Sequence, residues 1–308
     1  TLPHPSTLYP KKMSKKFKSA TRYNVRMDDQ PVKPVTMRTL QRTMAEGGKF
    51  AVLTCYDAVT ARWLQRAGVP MLLVGDTAAE MVLGEPSTIH APLEFMLLLT
   101  AAVKRGAPQT LIMGDMPFMS YQADDAEAVR NAGRFLTEGR ADLVKLEVDA
   151  SHGDLVAKLA NAGIPVVAHI GSRPQQVRKV GGYRSAGKTA AEALAIVEQA
   201  ELMEARGAVM LLVEATAAEV TDRIVQRVKI PVIGCGAGPA CHGHVVVLHD
   251  LLGLSDWQPP FAKPQAQVGQ SIQQAAGEWV KLVAGGSYLQ EGHPYKMDDR
   301  EREKFLQG

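Results

Sequence analysis

Several short apolar runs in this chain end on an ionisable side chain. Met71-Leu-Leu-Val-Gly-Asp76, Leu111-Ile-Met-Gly-Asp115, Leu143-Val-Lys-Leu-Glu147 and Leu211-Leu-Val-Glu214 each close on an acid, and Val166-Val-Ala-His169 closes on a histidine. Asp76, Asp115 and Glu147 form an oxygen-only donor set. Hard oxygen ligands without clustered Cys or His suit Mg2+, which keeps several waters and takes one or two carboxylates plus substrate. Acids gathered this closely raise one another's pKa unless a cation joins them. A single such Asp reads as a cap on the following helix; three on successive runs read as a cation site. Lys145 lies two residues before Glu147, so on a strand both point to one side. A buried lysine needs a partner, either a neighbouring carboxylate or an anionic substrate. His169 is either a satisfied core histidine or a ligand at the mouth of a site. Glu214, away in sequence from the acid trio, is placed to act as a general base, with burial raising its pKa toward neutrality.

Two other clusters carry weaker signals. Cys241-His242-Gly243-His244 with His249 has the residue types of a zinc site but lacks a second CxxC-type pair. Gly234-Cys235-Gly236-Ala237-Gly238 could hold a phosphate or carboxylate on backbone N–H groups.

The elements that must position these residues follow from the pattern. The runs are too short for helices and do not alternate, which describes strands buried on both faces. Strands are expected to start at 50, 71, 110, 143, 165, 209, 231 and 245, the last over Val245–Leu248. Helices are expected between them: Ala58–Ala67, Pro92–Arg105, Asp124–Glu138, Gly153–Ala162, Thr189 to about Arg206, and Ala217–Val228. Gly68, Gly163 and Gly207 each close a helix just before the next strand. Glu192 is placed for a capping box with Thr189. Eight parallel strands with interposed helices close most naturally into a (β/α)8 TIM barrel, whose sites lie at the carboxyl ends of the strands. An open doubly wound sheet is the alternative, but no GxGxxG follows the first strand. A first helix is expected over Met37–Glu46 and an amphipathic helix over Gln267–Ala284, which bounds the barrel domain at residues 36–284.

The 308 residues are 46% hydrophobic and 22% charged, the composition of an ordinary globular protein. A net charge of +3 argues against nucleic acid as partner. No apolar run approaches the ~20 residues of a membrane span. Cys55, Cys235 and Cys241 are too sparse for a disulfide framework and fit a reducing, cytoplasmic compartment. Residues 1–35 form a basic arm with Lys11, Lys12, Lys15, Lys16, Lys18 and Arg22 ahead of any acid. It reads as a solvated arm packing on a neighbouring subunit, or as a transit peptide. Residues 285–308 read as a polar, loosely held tail.

Taken together, the motifs resemble the ketopantoate hydroxymethyltransferase family. They are Leu53-Thr-Cys-Tyr-Asp57, Val74-Gly-Asp76, Met81-Val-Leu-Gly84, Ser87-Thr88, Asp115-Met-Pro-Phe-Met-Ser-Tyr121, Val144-Lys-Leu-Glu147, His169-Ile-Gly171, Pro174-Gln175, Gly181-Gly-Tyr183, Gly187-Lys188 and Gly234–Pro239, in this order. The resemblance covers residues 36–284. It implies a TIM barrel of the phosphoenolpyruvate/pyruvate type and a homo-oligomer, often a decamer. It implies transfer of a one-carbon unit from 5,10-methylenetetrahydrofolate to a branched 2-oxo acid, 3-methyl-2-oxobutanoate, on the way to pantothenate. Asp76 and Asp115 would hold Mg2+, with Glu147 supporting the site directly or through water. Thr77, Asp115, Lys145 and His169 would bind the substrate, and Glu214 would remove the proton alpha to the ketone.

The chain departs from the family pattern at Thr77, where Ser is usual, at Ala78-Ala79-Glu80, at Glu85-Pro86 and at Ala215-Thr216-Ala217. Two further readings stand beside the transferase. One is another Mg2+-dependent enzyme of 2-oxo acids on the same barrel, such as a lyase or mutase. The other is a catalytically silent paralogue serving as a binding or assembly subunit.

Overall fold

The computed structural model describes residues 33–290 and 294–308; the basic arm therefore lies, but for its last few residues, outside the described residues. Among the described residues one compact unit runs up to Ile272. In chain order its elements are α1 (Met37–Ala45), β1 (Phe50–Thr54), α2 (Ala58–Arg66), β2 (Met71–Val74), α3 (Ala78–Leu83), α4 (Leu93–Gly106), β3 (Leu111–Asp115), α5 (Asp125–Thr137), β4 (Leu143–Glu147), α6 (Gly153–Asn161), β5 (Val166–Gly171), α7 (Val177–Val180), α8 (Ala190–Ala205), β6 (Met210–Glu214), α9 (Ala218–Arg227), β7 (Val232–Cys235), β8 (Gly243–Val246) and α10 (Leu248–Leu251), followed by the start of α11 (Val268–Ala284). The rest of α11 and α12 (Asp299–Gln307) belong to the second unit. Within that unit the expected polar tail carries a helix, α12, whose first turn is capped by Asp298.

The strands form a closed parallel barrel in sequence order, with β8 pairing back onto β1. Their residues alternate between two apolar clusters. Val52, Leu73, Met113, Leu143, Val167, Leu212 and Ile233 fill the barrel. Leu72, Val74, Ile112, Val144, Leu146, Ala168, Leu211 and Val213 face the helices. Both strand faces are thus buried, which is why the runs carry no polar alternation. The interior positions continue upward into Asp115, Lys145, Glu147, His169 and Glu214, so the period of two that packs the core also aims the site. Leu40 of α1, 1% exposed, joins the interior cluster and closes the amino end of the barrel. Gly68, Gly163 and Gly207 follow α2, α6 and α8 with φ of 81°, 81° and 95°, the left-handed cap that the sequence suggests.

Three local expectations are corrected. The eighth strand lies at Gly243–Val246, two residues earlier than its apolar residues suggest, and Leu248 begins α10 instead. Gly243 pairs with Phe50, and a methyl group there would lie 2.3 Å from the Phe50 ring, so a residue with no side chain starts the strand. The span after β2, where no helix is expected before Pro92, contains α3 and a 3-10 turn at Thr88–His90. Helix α3 is too short to show a period, and it ends at Gly84 with φ 72°. Thr189 caps α8 by accepting from the Glu192 N–H at 3.2 Å, but the Glu192 carboxylate accepts from Lys188 N–H rather than from Thr189, so the box is only half formed.

Gly114 precedes Asp115 on β3, and an added methyl would sit 2.5 Å from Cδ1 of the fully buried Phe135. Gly114→Ala is expected to destabilise the protein by about 1–3 kcal/mol through overpacking. Denaturant melts read this, and an unchanged midpoint would contradict the packing account.

Candidate active site

The carboxyl ends of the strands open into a cavity of about 1180 Å3. Asp76, Thr77, Asp115, Lys145, Glu147, His169 and Glu214 all line it, so the barrel brings together every candidate residue picked from the sequence. Register explains the neighbours. Asp115 is the lateral partner of Lys145, Glu147 of His169, and Glu214 of Cys235. Asp76 lies just beyond β2, and Thr77 starts α3 over the fully buried Ala78 and Ala79.

One ammonium faces four carboxylates. Lys145 Nζ lies 2.8 Å from Asp115 Oδ1 and 3.3 Å from His169 Nδ1. The approach to Oδ1 is close but not aligned as a hydrogen bond, so that buried oxygen keeps unused acceptor capacity. Asp115 Oδ2 accepts the backbone N–H of Asp76 at 3.0 Å. Burial works against the charge on Lys145, but Asp115, Asp76 and Glu147 outweigh it and hold the pKa above that of a free lysine. His169 is held well below the usual histidine range by burial and then by Lys145. It is therefore neutral. An ammonium can only donate, so the network assigns Nδ1 as acceptor and puts the ring proton on Nε2. Nε2 has no aligned partner and lies 3.5 Å from Glu214 Oε2.

The carboxylates respond to burial and to one another. Asp76 is pushed up to about 8 by burial and then by Asp115, against Lys145 and Gln175. Burial also raises Asp115, with Lys145 opposing, and raises Glu147 well above the usual range. Burial pushes Glu214 up to about 7 against the pull of Lys145. Its backbone is fixed at both sides. Glu214 O accepts from Ser172 N–H at 2.9 Å and from the Thr216 hydroxyl at 2.8 Å, and Ala215 turns through φ 42°. The segment after β5 is drawn against this turn by Ala186 N–H donating to Ala215 O at 2.8 Å, which brings Tyr183, Arg184 and Lys188 to the cavity wall.

Gln175 is the site residue that chemistry-bearing patterns did not single out. It is 4% exposed, and its backbone N–H points between the Glu147 oxygens at 3.2 and 3.1 Å. Its side-chain amide donates to Asp76 Oδ2 at 2.9 Å. Tyr121, also buried, accepts the Glu147 N–H at 3.1 Å and places its hydroxyl 2.9 Å from Gln175 Oε1. Only the appearance of Pro174-Gln175 and Tyr121 among the resemblance motifs pointed to them.

The Cys/His cluster does not come together as a metal site among the described residues, and the glycine run reaches the cavity wall at Cys235 and Gly236. His242 Nδ1 accepts the Val232 N–H at 3.0 Å, His244 is exposed, and His249 stacks 5.6 Å from Tyr56. Gly236 and Gly238 are accounted for by packing, since side chains there would meet the Phe261 ring and Ala218. Among the described residues no group of three or more Cys, His, Asp and Glu side chains is arranged to hold a metal by itself.

Residues 34–291 match the ketopantoate hydroxymethyltransferase family. The chain belongs to this family. Among relatives, it is 46% identical to the 3-methyl-2-oxobutanoate hydroxymethyltransferase of Hyperthermus butylicus over 88% of this chain and 94% of that one. It is 43% identical to the enzyme of the same name from Alkalilimnicola ehrlichii, over 86% and 96%. Among solved structures, 2,3-dimethylmalate lyase, a PEP mutase/isocitrate lyase superfamily member, aligns with TM-score 0.54 and 16% identity over 88% of this chain and 94% of that one. Phosphonopyruvate hydrolase in complex with oxalate and Mg++ aligns with TM-score 0.56 and 11% identity over the same shares. At those identities the likeness is one of fold. No helix among the described residues is long and apolar enough to cross a membrane.

Proposed function

We propose that the protein transfers a hydroxymethyl group from 5,10-methylenetetrahydrofolate to 3-methyl-2-oxobutanoate, giving 2-dehydropantoate. The observation that carries this is the division of the cavity. Two buried aspartates stand on one wall and a carboxylate near neutrality on another, with Lys145 and His169 between them.

The residues fit Mg2+. Four carboxylates share one buried ammonium, and Asp115 Oδ1, 2.8 Å from Lys145 Nζ, has no aligned hydrogen bond. Two aspartate oxygens plus water and a chelating 2-oxo acid satisfy this ion. Asp76 and Asp115 would hold it, with Glu147 engaged instead by Gln175. A bound Mg2+ supplies Lewis-acid polarisation of the keto oxygen.

Glu214 removes the C3 proton of the oxo acid, and the electron pair moves into the enolate. Lys145 and Thr77 contact the oxo acid, and His169 faces both Lys145 and Glu214. C3 then forms the new C–C bond to the methylene carbon, the C–N bonds to folate break, and water supplies the hydroxyl oxygen. Mixing the two substrates and following 2-dehydropantoate by NMR tests this. Product is expected; proton exchange at C3 without product would mean a different one-carbon donor.

The cation also sets a pH dependence. Asp76 has its folded-state pKa raised to about 8. A raised acid contributes stability that is complete below its unfolded pKa and lost as pH rises through the folded value. In EDTA, Tm is therefore expected to fall between about pH 4 and pH 8. Added Mg2+ should raise Tm more at the upper end of that window. An equal effect of Mg2+ across it would contradict the assignment of Asp76.

A further inference from the structure

The side-chain amide of Gln175 has a partner for each of its hydrogens and for its oxygen, and one of them belongs to the acid cluster. One amide hydrogen goes to Asp76 Oδ2 at 2.9 Å and the other to Met116 O at 3.0 Å. Oε1 lies 2.9 Å from the Tyr121 hydroxyl and accepts Gln122 Nε2 at 3.2 Å. A flipped amide would set oxygen against the Asp76 carboxylate and the Met116 carbonyl, so the partners fix the orientation. The backbone N–H of the same residue is shared by the two Glu147 oxygens.

The consequence falls on the lone pairs that remain. Asp76 Oδ2 is held by Gln175, and Asp115 Oδ2 is held by the Asp76 N–H. Each of these oxygens keeps a further lone pair, and Oδ1 of each aspartate is the oxygen that neither donor engages. Asp115 Oδ1 has Lys145 beside it but no aligned hydrogen bond. Both Glu147 oxygens are turned toward Gln175.

We propose that Gln175 is a positioning residue for the divalent cation, presenting one oxygen from each of Asp76 and Asp115 and holding Glu147 back from direct coordination. The inference rests on the cation site proposed above. It assigns Pro174-Gln175 a role in shaping the cation site rather than in closing a turn. Tyr121 supports the same amide from its acceptor side, so its hydroxyl belongs to the same device. Outer partners of metal ligands typically change affinity by about 10–100-fold when removed.

The test is Mn2+ titration of the substrate-free full chain, with free Mn2+ read by EPR, for wild type, Asp76→Asn, Gln175→Met and Tyr121→Phe. Gln175→Met keeps bulk but removes the donors and the acceptor. Near-UV circular dichroism and Tm establish that each variant is folded. Wild type is expected to bind, Asp76→Asn to lose binding, and Gln175→Met to weaken it by about 10-fold. Tyr121→Phe, which keeps the ring, is expected to weaken binding by a smaller factor in the same direction and serves if Gln175→Met does not fold. Folded variants of Gln175 and Tyr121 that bind Mn2+ as wild type does would overturn the inference while leaving the cation site intact. Wild-type binding unaffected by Asp76→Asn would overturn the cation site and this inference with it.

Discussion

Glu214→Gln is expected to lower deuterium exchange at C3 of 3-methyl-2-oxobutanoate by about 10²–10⁴-fold, the usual worth of a positioned general base. The substitution keeps the shape of the side chain and removes its basicity. Glu214 ends β6 with its backbone tied to Ser172 and Thr216, so the amide should occupy the same place. Cation binding should remain within a few-fold of wild type, because Glu214 is not one of the carboxylates assigned to the cation, although its charge is felt at Asp76. Burial raises its pKa to about 7. Exchange by the wild type should therefore fall as pH drops below that value, as the base takes up its proton, and the residual exchange of Glu214→Gln should lack this limb. A variant that retained both full exchange and the same pH limb would remove Glu214 from the mechanism.

Lys145→Met is expected to cost about 3–5 kcal/mol, because breaking a buried ion pair from one side leaves the partner charge uncompensated. Lys145 is 4% exposed and Asp115 is 1% exposed, and no other ammonium or guanidinium comes within ion-pairing distance of Asp115 among the described residues. Asp115 can relieve the loss by taking up a proton. Its folded-state pKa is already raised by burial and would rise further without Lys145. The deficit should therefore shrink as pH falls and grow as pH rises, since a raised acid loses its contribution on the alkaline side. Mg2+ should recover part of the lost stability by standing in for the missing positive charge. Denaturant melts at several pH values, with Mg2+ and with EDTA, measure this. A small, pH-independent change would mean that Lys145 serves the substrate alone and leaves the acid cluster neutral.

The barrel was legible because its strands are buried on both faces and end in charge. A parallel sheet with its mouth at one end explains Asp76, Asp115, Glu147 and Glu214 falling at the same place in four repeats. The shared side of Lys145 and Glu147 followed from the period of two, and the register then brought His169 beside them. What stayed hidden depends on contacts with no sequence period. Gln175 reaches Asp76 across 99 residues and Met116 across 59, from a 3-10 turn that carries no pattern of its own. The eighth strand was misplaced because Gly243 and His244 carry pairing without an apolar run. Helix α3 was missed for the same kind of reason: six residues, two of them buried alanines, offer too little to read.

The central claim is that this cavity makes an enolate from a 2-oxo acid with a metal and Glu214. The most direct measurement is proton NMR of 3-methyl-2-oxobutanoate in D2O with the protein and Mg2+, with and without EDTA, before any folate is added. The account predicts that the C3 proton signal disappears with Mg2+ and persists in EDTA. Exchange that EDTA leaves untouched, or no exchange by folded protein in Mg2+, would contradict it.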